Sequence, residues 1–286
     1  MSTFELANTT PKVSVELTPD LSQEQLLAFP AFTRWLSTLQ HSLSLQASQP
    51  GHPFHPSPYH LRKITVQSVD RFGGKRLGFV KLQAEVTNAD GEKLPGSVFL
   101  RGGSVGMMVI LQPDDVSQHS EKDKYVLLTM QPRVPAGSLS MIELPAGMID
   151  DSGTFAGAAA KEIQEEIGLE IPEDELTDMT KLGIDSLQDT TGEDLPRGVY
   201  PSPGGCDEFV PIFLHQRQVP RAQLDQWQGK LTGLRGHGEK ITLQLVPLEH
   251  VWRHGARDAK ALAAWALYQE LRREGRLPNP VASCQY

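Results

Sequence analysis

Cysteine is scarce in this chain: 286 residues hold only Cys206 and Cys284. Two distant cysteines build neither a disulfide framework nor a zinc site, and a reducing compartment is the expected setting. Long apolar runs are missing too. No stretch approaches the roughly 18 apolar residues of a membrane span. The opening MSTFELANTTPKVSVELTPD has no apolar core and no basic start, so it does not read as a secretory leader. It is poor in arginine and carries acids, which speaks against a mitochondrial transit peptide. The cytosol is the expected location. Basic charge is also short, and the net charge is −8. Nucleic acids and anionic membranes recruit basic surface, so neither is expected as a partner. A small phosphorylated ligand is not excluded, because local arginines or a bound cation can receive it inside an acidic protein. There is no internal repeat and no low-complexity tract.

The length allows one large domain or two small ones. Residues 1–20 are polar and are expected to be loosely ordered. Leu26, Phe29, Phe32, Trp35, Leu36, Leu39 and Leu43 recur at three- and four-residue steps, which predicts helix from Leu21 to about Leu45. Ser22 with Gln25 forms a capping-box pattern, and Pro30 divides the run. Residues 48–60, rich in proline and histidine, read as a linker. Between Leu61 and Leu100 the period changes to two, with turn signals at Phe72-Gly73-Gly74-Lys75 and Asp90-Gly91. Three strands of an antiparallel meander are expected, too small to be stable alone.

Beyond Arg101-Gly102-Gly103-Ser104, strands are expected at Val105–Leu111, Tyr125–Met130, Leu182–Leu187, Val210–His215 and Ile241–Val246. Helices are expected at Ala222–Lys230 and Asp258–Glu274, the second capped by Asp258. Residues 188–208 form a loop of a length that is usually functional or disordered. Helix and strand mixed in this way predict an α/β sandwich. The expected divisions are 1–60 as a helical extension and linker, 61–103 as a small β-domain, and 104–286 as the main domain.

Chemistry concentrates between Glu143 and Glu170, ELPAGMIDDSGTFAGAAAKEIQEEIGLE. A glycine loop enters an alanine-rich helix that stops at Gly168. At about 100° per residue, Glu162, Glu165 and Glu166 project within about 100° of arc. Ala156, Ala160, Ile163 and Ile167 form a different stripe that can face a core, and Ala158 and Ala159 leave the acidic side uncluttered. Like charges on one turn repel, so the cluster suits a hard divalent cation, magnesium, held against a phosphate-bearing substrate. An acidic solvated face is the other reading of the same residues.

The stretch resembles the Nudix box, G-x5-E-x7-R-E-U-x-E-E-x-G-U, with U aliphatic. Gly147, Glu162, Ile163, Glu165, Glu166, Gly168 and Leu169 fall at the required spacings. Gly153 replaces the first glutamate and Lys161 the arginine. Those two positions pair with each other in the family, so the departure touches the support of the loop and not the metal carboxylates. Arg101-Gly102-Gly103-Ser104, Gln131-Pro132-Arg133, Glu143 to Met148 and Tyr200 to Glu208 are similar to the ADP-sugar diphosphatase branch of that family, over about residues 61–272.

The resemblance implies a Nudix α/β/α sandwich with a mixed sheet, preceded by a small β-domain that is often exchanged in a homodimer. It implies cleavage of a nucleoside diphosphate sugar, ADP-ribose or ADP-glucose in preference, to AMP and a sugar phosphate. A UDP-sugar diphosphatase and a non-catalytic nucleotide-sugar sensor are the alternatives. Mg2+, with Mn2+ as a substitute, is implied on Glu162, Glu165 and Glu166 together with the backbone carbonyl of Ala146 or Gly147. Glu239, on a glycine-rich late loop, is the implied general base, with His237 as a residue that could share the task and Glu208 as the second candidate base or a metal helper. Arg101 and Arg133 offer planar forks to phosphate or sugar, or else form strand-end salt bridges. Ser202 and Gly204 are expected to line the nucleotide pocket, and Cys206 to be a small filler.

Overall fold

The structure, a computed structural model, describes residues 2–7, 9–149, 155–158, 160, 164, 170–186, 191–232 and 240–282. These form two compact units. The first holds the described residues up to Gly103 together with 191–196 and 202–209. The second holds the described residues of 104–186, 197–201 and from Val210 onward.

In the first unit, strands β1 (Thr3–Glu5) and β2 (Ser14–Glu16) precede helices α1 (Gln23–Leu27) and α2 (Pro30–Ser48). Strands β3 (His60–Phe72), β4 (Arg76–Thr87), β5 (Lys93–Leu94) and β6 (Ser97–Leu100) follow. The expectation of a loose first 20 residues is corrected. Val13, Val15 and Leu17 alternate inward and are at most 2% exposed, so the polar-looking opening feeds the core. The sheet is not wholly antiparallel either, because β2 runs parallel to β3. The long hairpin is as expected: β3 pairs with β4 antiparallel around Gly73 and Gly74, both at positive φ. Ser22 and Gln25 close the capping box, and Pro30 opens α2 at its first turn. Leu26 and Phe32 from these helices enter the same core as Ile64, Val80 and Leu82.

The second unit is built on an eight-stranded mixed sheet. Its strands are β7 (Ser104–Pro113), β8 (Tyr125–Arg133), β9 (Ser138–Glu143), β10 (Ala146–Met148), β11 (Thr177–Asp178), β12 (Ile212–Val219), β13 (Leu231–Thr232) and β14 (Ile241–Pro247). The main path runs β11-β12-β7-β8-β14-β13, with β10 on β7 and β9 on β8. Helices α3 (Met179–Ile184), α4 (Arg221–Trp227), α5 (Val251–His254) and α6 (Ala259–Arg273) complete it. Strand β7 is buried at every position, which is why its sequence reads as a continuous apolar run. Its odd residues Met107, Val109 and Leu111 face a core with Leu224 and Trp227 of α4. Met108 and Ile110 face another with Ala261, Ala264, Tyr268 and Leu271 of α6. Helices therefore cover both faces, and the unit is an α/β/α sandwich.

One expected strand is a helix. The apolar run Leu182–Leu187 is expected as a strand, but residues 179–184 form α3, with the Asp178 carboxylate capping the Lys181 N–H at 2.8 Å; Leu187 lies outside the described residues. The cap supplies an early orphan donor of the helix, a local bond that outweighs the β-like apolar pattern. No helix among the described residues is long and apolar enough to cross a membrane.

Candidate functional site

Strand β9 ends at Glu143, which is 7% exposed. Arg133, at the end of β8, donates from Nε to Glu143 Oε2 at 2.5 Å. Lys260 in the first turn of α6 donates from Nζ to Glu143 Oε1 at 3.3 Å and to Asp258 Oδ1 at 2.9 Å. The other Asp258 oxygen accepts the Leu144 N–H at 2.8 Å. Burial lowers the Lys260 pKa, but Asp258 and Glu143 outweigh it and hold the ammonium above the ordinary lysine range. Pro145 O then accepts from Met107 N at 2.9 Å, and Ala146 to Met148 pair antiparallel with Gly106 to Ser104. The Glu143–Met148 segment is thereby fixed by side chains at one end and by sheet bonds at the other. Residues 155–158 beyond it are helical. Ala156 and Ala158 both pack on the core that contains Val105 and Met107, so Ala158 faces apolar neighbours where an uncluttered acidic side was expected.

In the first unit, a turn carries the second group of expected site residues. Ser202 O accepts from Gly205 N at 3.2 Å and from Cys206 N at 3.0 Å, and Gly205 O accepts from Phe99 N at 2.8 Å. Asp207 Oδ1 takes the N–H of Arg101 at 2.8 Å and of Gly102 at 3.2 Å. Gly102 lies at φ +81°, a conformation glycine adopts without strain. Burial raises the Asp207 pKa, against those two backbone bonds that lower it. Arg101 Nη1 meets Glu208 Oε1 at 2.9 Å, with side chains 28% and 16% exposed. Burial also pushes the Cys206 thiol up, which suits a filler and not a nucleophile.

The structure thus brings Arg101, Ser202, Gly204 and Glu208 into one loop cluster, and places Arg133 on β8 and Ala146 on β10 of the other unit, both strands pairing with β7. Arg101 and Arg133 both hold a carboxylate, the salt-bridge geometry anticipated as their other reading. Glu162, Glu165, Glu166, Gly153, Lys161, Gly168, His237, Glu239 and Cys284 lie outside the described residues. Among the described residues no three histidines, cysteines or acids gather as a metal site. Sequence reasoning missed the roles of Glu143, Asp207 and Lys260. The only signal was their place in the quoted motifs or one turn inside a helix cap.

A mixed sheet with helices on both faces defines an α/β/α scaffold, in which pairing of Ala146–Met148 with β7 holds the Glu143–Met148 segment in place. A NUDIX domain model matches residues 107–265. "Nudix hydrolase 14, chloroplastic" from Arabidopsis thaliana is 39% identical over 246 residues, 85% of this chain and 71% of that protein. A solved structure titled "Crystal structure of ADP compounds hydrolase" aligns over 76% of this chain and 99% of its own at 18% identity, with a TM-score of 0.44. The chain belongs to the Nudix family and is a hydrolase. Members of the family act on nucleotide derivatives and use divalent metal ions.

Proposed function

We propose that this protein hydrolyses the diphosphate of nucleoside diphosphate sugars, with ADP-ribose or ADP-glucose preferred, and releases AMP and a sugar phosphate. The observation that carries this reading is the triple-carboxylate set Glu162, Glu165 and Glu166 at the family's spacing, intact although Gly153 and Lys161 depart. The preference for an ADP sugar rests on the resemblance of Tyr200 to Glu208 and of the segment from Glu143 to that branch.

The donor chemistry fits magnesium. Carboxylates and a backbone carbonyl are hard oxygen donors, and the strand that carries Ala146 is held by pairing with Gly106. Glu162, Glu165 and Glu166 with the Ala146 carbonyl are the residues that would hold it. When bound, the ion neutralises diphosphate charge and makes a coordinated water more acidic. Arg133 and Arg101 orient phosphate or the terminal sugar, each with an acidic partner that fixes the fork. Glu239 accepts the proton of the attacking water. Glu208 is given an orienting role, since Arg101 already occupies one of its oxygens. Ser202 and Gly204 line the nucleotide side, where a Cβ on Gly204 would meet nothing within 4 Å.

We further propose that residues 61–103 act as a β-domain exchanged in a homodimer, that 1–60 is its extension, and that the cytosol is the compartment. Light scattering should then give twice the chain mass of 31.5 kDa. The decisive assay incubates the protein with ADP-ribose, ADP-glucose and UDP-glucose, with and without magnesium, and follows AMP and UMP. Magnesium-dependent AMP is expected. UMP alone would overturn the base assignment, and no nucleotide from any of the three would overturn the substrate class.

A further inference from the structure

We infer that Lys260 and Asp258, at the start of α6, are positioning residues for the hydrolytic site and act through Leu144 and Glu143 on the Ala146 backbone. The inference rests on the proposed reading that Ala146 takes part in holding the cation.

An ordinary helix cap uses a side-chain oxygen for its own first turn. Asp258 does so through Oδ1, which accepts the Lys260 N–H at 3.0 Å. Its second oxygen is aimed elsewhere, at the Leu144 N–H 114 residues away. Leu144 is the last residue before Ala146 that can donate from its backbone, because Pro145 has no N–H. The bond therefore sets the approach of the chain at the last backbone donor on that side. On the other side of Pro145 the sheet takes over, through the Met107 N–H to Pro145 O bond and the Ala146–Gly106 pair.

Lys260 joins the two carboxylates that flank this point, Glu143 and Asp258, each under a tenth exposed. With Arg133 the group contains two cations and two anions, so its charges balance. Removing the ammonium leaves two buried carboxylates with one remaining cation, Arg133, and that only on Glu143. Such a break costs far more than the intact set contributes. A balanced four-membered set, three of its members largely buried and Arg133 more open, at one end of a three-residue strand is more than a helix cap requires. Its geometry makes the angle at which Ala146 presents its carbonyl depend on α6.

The test uses full-length Lys260→Met, Lys260→Arg and Asp258→Asn, the last of which keeps a capping oxygen. Hydrogen exchange of the Leu144 amide, Mn2+ binding by calorimetry, and kcat and KM on ADP-ribose are measured for each. Lys260→Met and Asp258→Asn should exchange Leu144 at least about tenfold faster and lose about 10–100-fold in kcat or Mn2+ affinity, with KM within about threefold. Lys260→Arg should recover most of the loss. Unchanged exchange in a folded Lys260→Met, or faster exchange with kcat and Mn2+ binding intact, would overturn the inference. So would losses that merely follow a lower Tm. If Lys260→Met does not fold, Asp258→Asn decides by the same criteria. If the wild type releases no nucleotide, the substrate reading fails by itself, and exchange with Mn2+ affinity still decides this one.

Discussion

Glu143 takes a different cation on each of its two oxygens, Arg133 on one and Lys260 on the other. Residues of this kind decide what a substitution does. Glu166→Gln keeps size and removes charge. If it holds the cation, about 3 kcal/mol of transition-state stabilisation is lost, or about 100-fold in kcat, with the far-UV spectrum unchanged. A folded, fully active Glu166→Gln would remove that assignment. His215 allows a second prediction at this scale. It is 1% exposed on β12, with Nδ1 3.6 Å from Glu175 Oε2. Burial, then the Arg217 charge, push its pKa from 6.5 down to about 4, against the pull of Glu175. Below pH 6.5 the unfolded chain therefore binds a proton that the folded chain refuses until about pH 4. Folding should weaken as pH falls through that window, by about 3 kcal/mol in all, with no contribution above it. Urea midpoints at pH 4.5 and 7 should differ less in His215→Gln than in the wild type. Equal midpoint differences in the two proteins would show that His215 is not the cause. At the residue level the salt-bridge reading of Arg101 and Arg133 was legible, because each arginine stands at the end of a strand. The partners of Glu143 were not, because Lys260 lies 117 positions away and nothing local marks the pair.

At the scale of elements, period and caps were read well where the signal is local. The capping box at Ser22, the Gly73-Gly74 turn and the Asp258 cap all rest on contacts a few residues apart. Strands β1 and β2 were missed because three-residue strands carry too little pattern. They exist through pairing, β2 with β3, 49 positions on. Leu182 misled because a short apolar run suits strand and helix alike. Gly183 in α3 then packs within 3.0 Å of Leu267 if given a Cβ, so the helix sits close against α6. Gly96 offers a sharper test. A Cβ there would lie 1.9 Å from the Ala84 carbonyl oxygen, a backbone atom with no rotamer to yield. Gly96→Ala should destabilise the first unit by about 2–3 kcal/mol in urea titration. An unchanged midpoint would show that the β4–β6 region deforms freely.

For the whole molecule, the mixed sheet with two helical faces was legible from alternating elements, and the family from one long motif. The division into units was harder, since segments after residue 190 join the first unit from far along the chain. If the cation binds only the folded chain, magnesium at a hundred times its dissociation constant should add about 2.7 kcal/mol of stability. Thermal melts with magnesium and with a chelator test this, and coincident curves would count against the site.

The parallel pairing of β7 with β12 carries a consequence for biogenesis. Ile212 to Val219 lie against Gly106 to Pro113, so the central strand waits for a neighbour more than one hundred residues behind it in synthesis. On a ribosome adding about 5–20 residues per second, that is an interval of about 5–20 s. Throughout it Met107 to Leu111, the most apolar stretch of the sheet, has no companion on that edge. The β3–β4 hairpin, by contrast, can close as soon as it emerges. The nascent chain is thus exposed to self-association in its middle third, and chaperone capture there would act before any chemistry begins.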